Sequence, residues 1–174
     1  MRVTAVIGLI GAGLLLAGCG SGTVSGDADA EGTAAGEPVF SPCDDIPDDV
    51  LRAVGVDPAT ESRDIMGVEQ PGWKICKWRG DGPFLSVFAT TYTLDDVRAN
   101  DKNIEIAPVD VSGRKAFSYR ETTDTDHKSC DVALSSAGGA VLVSISDLGG
   151  GTRVDDPCAL VIETTRTLAS SIPE

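Results

Sequence analysis

The chain has 174 residues, with 14 Lys or Arg against 27 Asp or Glu, so its formal net charge is −13. This surplus of negative charge repels the phosphates of nucleic acid and of anionic lipid, and it disfavours binding to either through surface charge. A single histidine and the lack of a Cys-x-x-Cys motif disfavour a zinc site. We therefore expect no nucleic-acid partner, no metal and no cofactor.

The first 18 residues have the three parts of a secretion signal: a positive charge at Arg2, an uncharged apolar run over residues 3–16, and small residues before Cys19. The run is shorter than the roughly 20 apolar residues of a membrane-spanning helix. Residues 16–19, Leu-Ala-Gly-Cys, resemble a bacterial lipobox. That resemblance implies cleavage before Cys19, acylation of Cys19, and anchoring at the extracytoplasmic face of the cell membrane.

Residues 19–40 comprise this cysteine and a predicted flexible acidic linker. The segment consists almost entirely of small and acidic residues, which bury too little apolar surface to offset the entropy of ordering. The amino-acid composition changes at residue 41, where aromatic residues, cysteines and short apolar runs begin. Residues 41–174 are long enough for a single extracytoplasmic domain with its own core.

The predicted domain contains four cysteines: Cys43, Cys76, Cys130 and Cys158. An even number fits two disulfides in an oxidising compartment, and four cysteines allow three connectivities. Among these we expect the sequential pairing, Cys43 with Cys76 and Cys130 with Cys158, and the other two pairings remain open alternatives.

Local signals predict helices and strands along this domain. Thr93 begins a capping-box pattern, a Gly-Gly pair at residues 138–139 marks a hairpin, and Asp156-Pro157 begins a helix. The predicted order is a helix over 47–54, strands over 75–79 and 84–92, a helix over 93–100, strands over 104–111, 114–121, 131–136 and 140–146, and a final helix. This order indicates an α+β fold in which helices flank an antiparallel sheet.

Several short motifs, taken together in order and spacing, resemble those of the actinobacterial lipoproteins of the domain of unknown function 3558. They are Ser41-Pro42-Cys43-Asp44, Gly55-Val56-Asp57-Pro58, Cys76-Lys77-Trp78, Thr93-Leu94-Asp95-Asp96, Cys130-Asp131-Val132 and Asp156-Pro157-Cys158. The resemblance implies an envelope lipoprotein with two disulfides and a fold similar to the sandwich of Mog1 and PsbP-like proteins. It implies no catalytic residue, because the family has no established activity.

The sequence offers few groups for catalysis, and we expect no enzyme. His127, the only histidine, lies in a polar turn, and most paired carboxylates stand at predicted helix starts. A calcium site is one hypothesis, with carboxylate oxygen ligands from Asp124, Asp126 and Asp131, but the spacing of these residues lacks the EF-hand pattern.

Two functions remain. The first is a non-enzymatic accessory protein that binds an envelope protein partner, with Trp73 as a candidate contact. Packing of Trp73 in the core is the structural alternative for that residue. The second function is a carrier or sensor of a small apolar or glycan ligand, held in a cleft between the sheet and the helices.

Overall fold

The computed structural model describes residues 36–148 and 152–174. The predicted signal peptide, Cys19 and most of the predicted linker lie outside the described residues. One antiparallel sheet of seven strands, in the order β1-β2-β3-β7-β6-β5-β4, organises the described chain. No helix within the described ranges is both long enough and apolar enough to cross a membrane.

The helices and strands follow one another with short connections. Their bounds are α1 Pro42–Asp45, α2 Asp48–Ala53, β1 Val56–Arg63, β2 Trp73–Gly80, β3 Phe84–Thr90, α3 Leu94–Ala99, β4 Asn103–Val111, β5 Arg114–Glu121, β6 Ser129–Ser136, β7 Gly139–Ser146 and α4 Pro157–Leu168, followed by a 3₁₀ turn over Ala169–Ser171. The predicted α+β architecture, with helices on an antiparallel sheet, is confirmed.

The predicted element order lacks α1 and the edge strand β1. In β1 only Val56 is buried, and pairing with β2 shifts register between Asp57 and Ser62. An exposed, bulged edge strand shows neither the apolar alternation nor the apolar run by which strands are recognised. β4, which contains Pro108, is the opposite edge of the sheet and shifts register before Ala107, as expected for a strand in which a proline cannot donate a ladder hydrogen bond.

The larger core fills the sheet face that is covered by α1, α2 and α4. Its fully buried side chains include Trp78 and Leu85 from the sheet and Val161 and Leu168 from α4. Phe40, which is only 2% exposed, belongs to the same core. Packing therefore begins slightly before residue 41, where the composition changes.

Both disulfides join a helix to the sheet on this covered face. Cys43 of α1 bonds Cys76 of β2, and Cys130 of β6 bonds Cys158 of α4. The sequential pairing is therefore confirmed, and each bridge fixes a helix that is short or terminal onto the central strands.

The opposite sheet face carries a smaller core beneath α3. Thr93 caps this helix in the predicted capping box, in which Thr93 Oγ1 accepts from the Asp96 N–H while the Asp96 carboxylate accepts from the Thr93 N–H. Val97 is buried against Phe117, and the Arg98 guanidinium lies 4.3 Å from the Phe117 ring centroid. Since α3 has only six residues, it covers one part of this face and leaves the rest as a groove.

Candidate functional site

A row of polar side chains crosses five neighbouring strands on the α3 face of the sheet. Each residue in this row is the direct cross-strand partner of the next one, on the neighbouring strand. We call this set the polar row: Lys77, Ser86, Ser144, Asp131 and Tyr119. Direct partners on one face have Cβ atoms about 4.5–5.5 Å apart, so neighbouring groups of the polar row lie within reach of a single ligand.

Asp131 is the most costly member of the polar row to bury. The residue is 8% exposed, and its carboxylate accepts a hydrogen bond from the Ser144 side chain. Burial raises the pKa of Asp131 from 3.8 to about 7, and the negative charges of Glu121 and Asp124 act in the same direction against the opposing charge of Arg120. Near neutral pH this carboxyl is therefore present in both forms, so it both donates and accepts hydrogen bonds.

Tyr119 ends the polar row next to Asp131. Burial raises the pKa of the Tyr119 phenol, and the nearby charges of Asp131 and Glu121 raise it further. Its hydroxyl group therefore stays protonated at neutral pH and remains both a donor and an acceptor.

The polar row forms part of the wall of a groove of about 320 Å³, which we call the sheet-face groove. Apolar side chains from the adjacent register row, Phe88 and Leu142, also line it, and Trp73 stands at its border. A neighbouring recess of about 520 Å³ lies against α3 and shares Trp73 and Leu142 with the groove. Tyr92 lines that recess, with its ring centroid 5.8 Å from that of Trp73. The polar row therefore lies beside a group of mainly aromatic side chains on the same sheet face, and we call this group, Trp73, Phe88 and Tyr92, the aromatic wall.

A second surface stands out at the turn between β1 and β2. This turn, residues 65–68, is called the hairpin tip here, and it exposes three large apolar side chains: Met66 is 96% exposed, Val68 60% and Ile65 48%. Exposed apolar residues that occur singly are ordinary, but a group of them at one protruding turn is typical of a contact surface.

The hairpin tip is an ordered turn. The Val68 N–H donates to the Ile65 carbonyl at 3.0 Å, and these two residues form a β-bridge. At its base the Asp64 N–H donates to the Ile75 carbonyl at 3.0 Å. Met66 adopts a positive φ of 56°, a conformation that costs an L-residue energy and that recurs at functional turns.

The structure separates the residues that the sequence singled out. Trp73 begins β2 and is half-buried at the border of the sheet-face groove. His127 is exposed in the turn after β5, and Asp126 pairs there with a lysine. Asp124 accepts from backbone N–H groups and from an arginine, whereas Asp131 lies in the polar row. The three aspartates of the calcium hypothesis therefore do not form one site.

Within the described ranges, one group of ligand-type side chains lies close enough to share a metal ion. It consists of Cys43, Glu61 and Cys76, and the two sulfur atoms are already joined to each other. A disulfide offers no thiolate, so this group does not present a metal site.

Sequence reasoning did not find the polar row. Serines 144 and 146 alternate with buried apolar residues in β7, which is an ordinary half-exposed strand pattern. The unusual signal was Asp131, a carboxylate inside the apolar strand β6. Only the register of the sheet shows that Asp131 and Ser144 are direct partners.

The comparisons with known proteins give a family and no activity. The family model described as Protein of unknown function (DUF3558) matches residues 14–171. Neither a curated protein nor a solved structure matches the chain.

Proposed function

This chain belongs to the family described as Protein of unknown function (DUF3558), and from its own surfaces we propose that it is a non-enzymatic envelope lipoprotein that docks onto a protein partner through the hairpin tip. The exposure of Ile65, Met66 and Val68 together on one ordered turn carries this proposal. Burying such side chains against a partner gains apolar contact, while the preformed turn loses little entropy on binding.

The chemistry of the hairpin tip also describes the partner surface. Met66 is an adaptable, polarizable side chain that fits an apolar depression. Asp64 and Glu69 flank the tip with negative charge, whereas the nearby Arg63 guanidinium is already paired with Asp44. The complementary surface is therefore an apolar depression with a basic rim.

The anchor proposal rests on the N-terminal sequence. The lipobox-like residues 16–19 support acylation of Cys19, and the acidic, glycine-rich segment that follows gives the domain a tether. A net charge of −13 repels an anionic bilayer, so the tether would hold the domain near the membrane with its surfaces free for a partner. Intact-mass measurement of the mature chain tests this step: we expect a lipid adduct on a chain that begins at Cys19, and its loss in Cys19→Ala.

The docking proposal is tested with the full-length lipoprotein, extracted from its own membrane in mild detergent and measured by native mass spectrometry. The tip variant carries Ile65→Ser, Met66→Ser and Val68→Ser. We expect the unaltered protein to retain one partner at a fixed stoichiometry, and the tip variant to lose at least nine-tenths of that complex.

A matched control variant also replaces three exposed apolar residues, but outside the hairpin tip. Val39, Ile104 and Leu148 are exposed apolar residues away from the tip, and all three are changed to Ser in this control. The control variant should keep the complex. Equal loss in both variants, or equal retention in both, would refute docking through the hairpin tip.

A further inference from the structure

We propose that the polar row and the aromatic wall beside it form a binding site for a hydroxyl-rich ligand of the saccharide class. This site is separate from the hairpin tip and does not depend on the docking proposed there. The inference starts from a cost that folding alone does not explain: the carboxyl group of Asp131 lies buried on a sheet face, and the neighbouring register row on one side, which pairs Ala133 with Leu142, is apolar.

The polar row places hydrogen-bond donors and acceptors next to one another across five strands. Lys77 donates, Ser86 and Ser144 both donate and accept, and Asp131 and Tyr119 complete the row. Four inter-strand spacings separate its ends, or about 19 Å at the spacing of neighbouring strands. That length is several times the width of one sugar ring, so the row fits an oligosaccharide better than a monosaccharide.

The apolar side chains beside the polar row match the C–H faces of a sugar ring. A pyranose ring has hydroxyl groups at its edge and C–H bonds on its faces, so it needs polar partners and a flat apolar surface together. Apolar contacts at the groove come from Trp73, Phe88 and Leu142. Tyr92 adds a further aromatic ring beside Trp73, tilted by 47° from the Trp73 ring. Aromatic side chains give large contact areas with little loss of conformational entropy.

The same groups argue against other ligand classes. An acyl chain would cover the Lys77 ammonium and the remaining hydrogen-bonding capacity of Asp131 and Ser144 without offering a polar partner, which is unfavourable. A phosphorylated ligand would approach Asp131 and Glu121 in a domain with a large negative charge. A neutral saccharide avoids both penalties.

The binding test uses the full-length chain in a non-saccharide detergent and isothermal titration calorimetry. The probes are oligosaccharides of N-acetylglucosamine, mannose, galactose and arabinose, with inorganic phosphate, a lysine-containing tripeptide and myristate as competing classes. We expect one saccharide class to bind. Tryptophan fluorescence shows where the saccharide binds. Trp78, the other tryptophan, is fully buried in the larger core, so a change in emission on binding reports on Trp73.

Three variants test the site itself. Ser144→Ala should weaken saccharide binding about 3- to 10-fold, the usual effect of one lost hydrogen bond. Trp73→Ala should weaken it by about tenfold or more. Ser135→Ala is the matched control, since Ser135 lies on the same face of β6 but outside the groove, and it should bind normally.

Three results would overturn the proposal. The first is that no saccharide in the panel binds more tightly than about 10 mM. The second is binding of phosphate, the tripeptide or myristate in place of every saccharide. The third is saccharide binding that Ser144→Ala and Trp73→Ala leave unchanged.

Discussion

Asp131 connects the groove to the stability of the domain. Its pKa is raised to about 7, chiefly by burial, so the folded domain holds this proton up to a higher pH than the unfolded chain. A group whose pKa is higher in the folded domain than in the unfolded chain stabilises the fold most at low pH. Its contribution to the free energy of unfolding therefore falls as pH rises from about 4 to about 7, and is constant above that range.

Asp131→Asn should remove this dependence, because the amide resembles the neutral acid at every pH. Relative to the unaltered protein, the variant should gain stability between pH 4.5 and pH 8 by on the order of 1–4 kcal/mol. Urea denaturation at both pH values measures the difference, and Asp126→Asn, an exposed site, is the control. A stability difference between variant and parent that is the same at both pH values would contradict this account of Asp131.

Arg114 holds the C-terminal segment against the sheet. Its guanidinium donates to the carbonyls of Ile172 at 2.9 Å and Pro173 at 2.8 Å, and also to the carbonyl of Ser135. A planar guanidinium satisfies several carbonyls at once, which lysine does not reproduce. Removing it would leave these part-buried carbonyls without their partner.

Arg114→Met should therefore reduce the free energy of unfolding by about 2–4 kcal/mol. Arg52→Met is the matched control, because Arg52 forms an exposed ion pair with Asp48 and such pairs contribute at most about 1 kcal/mol. Thermal unfolding of both variants measures the two effects. Similar small losses in both would show that the carbonyl contacts of Arg114 do not hold the C-terminus.

At the scale of elements, α3 depends on its cap because a helix of six residues has little stability of its own. Thr93→Ala removes the side-chain half of the capping box and should destabilise the domain by about 1 kcal/mol. Hydrogen exchange should accelerate first at the α3 amides, while those of β6 stay protected. Thr125→Ala, in an exposed turn, is the control. Unchanged exchange in α3 would contradict a dependence on the cap.

The disulfide between Cys130 and Cys158 stabilises α4 by joining it to the sheet. It closes a sequence separation of 28 residues between Cys130 and Cys158, so replacing both by Ala should cost about 3–4 kcal/mol in the chain-entropy model. The Cys43–Cys76 bridge closes a separation of 33 and should cost a similar amount. Denaturation of the two double variants checks both values. A loss below about 1 kcal/mol in either would contradict the chain-entropy account for that bridge.

For the whole molecule, the sequence predicted the parts whose signals are local. The capping box at Thr93, the helix start at Asp156 and the alternation in β3 each depend on a few neighbouring residues. The disulfide pairing was one of three choices, and the sequential one is correct. The edge strand β1 was missed because its exposed, bulged residues carry no apolar period.

The candidate surfaces were harder to predict because they depend on long-range placement. Asp131 and Ser144 are separate polar residues in the sequence, and only the β6–β7 register brings them together. Trp73 was recognised as a contact candidate, but its place beside Tyr92 and the groove follows from the fold. Met66 gave no signal, since an isolated methionine in a turn is indistinguishable from an ordinary exposed residue.

The most direct test of the proposed function is site-specific photocrosslinking in living cells. A photoreactive phenylalanine analogue replaces Met66 at the hairpin tip or, as the reference position, Asp101 in the exposed turn after α3. We predict that the probe at Met66 gives one discrete protein adduct that the probe at Asp101 does not give. No adduct at Met66, or the same adducts from both positions, would contradict docking through the hairpin tip.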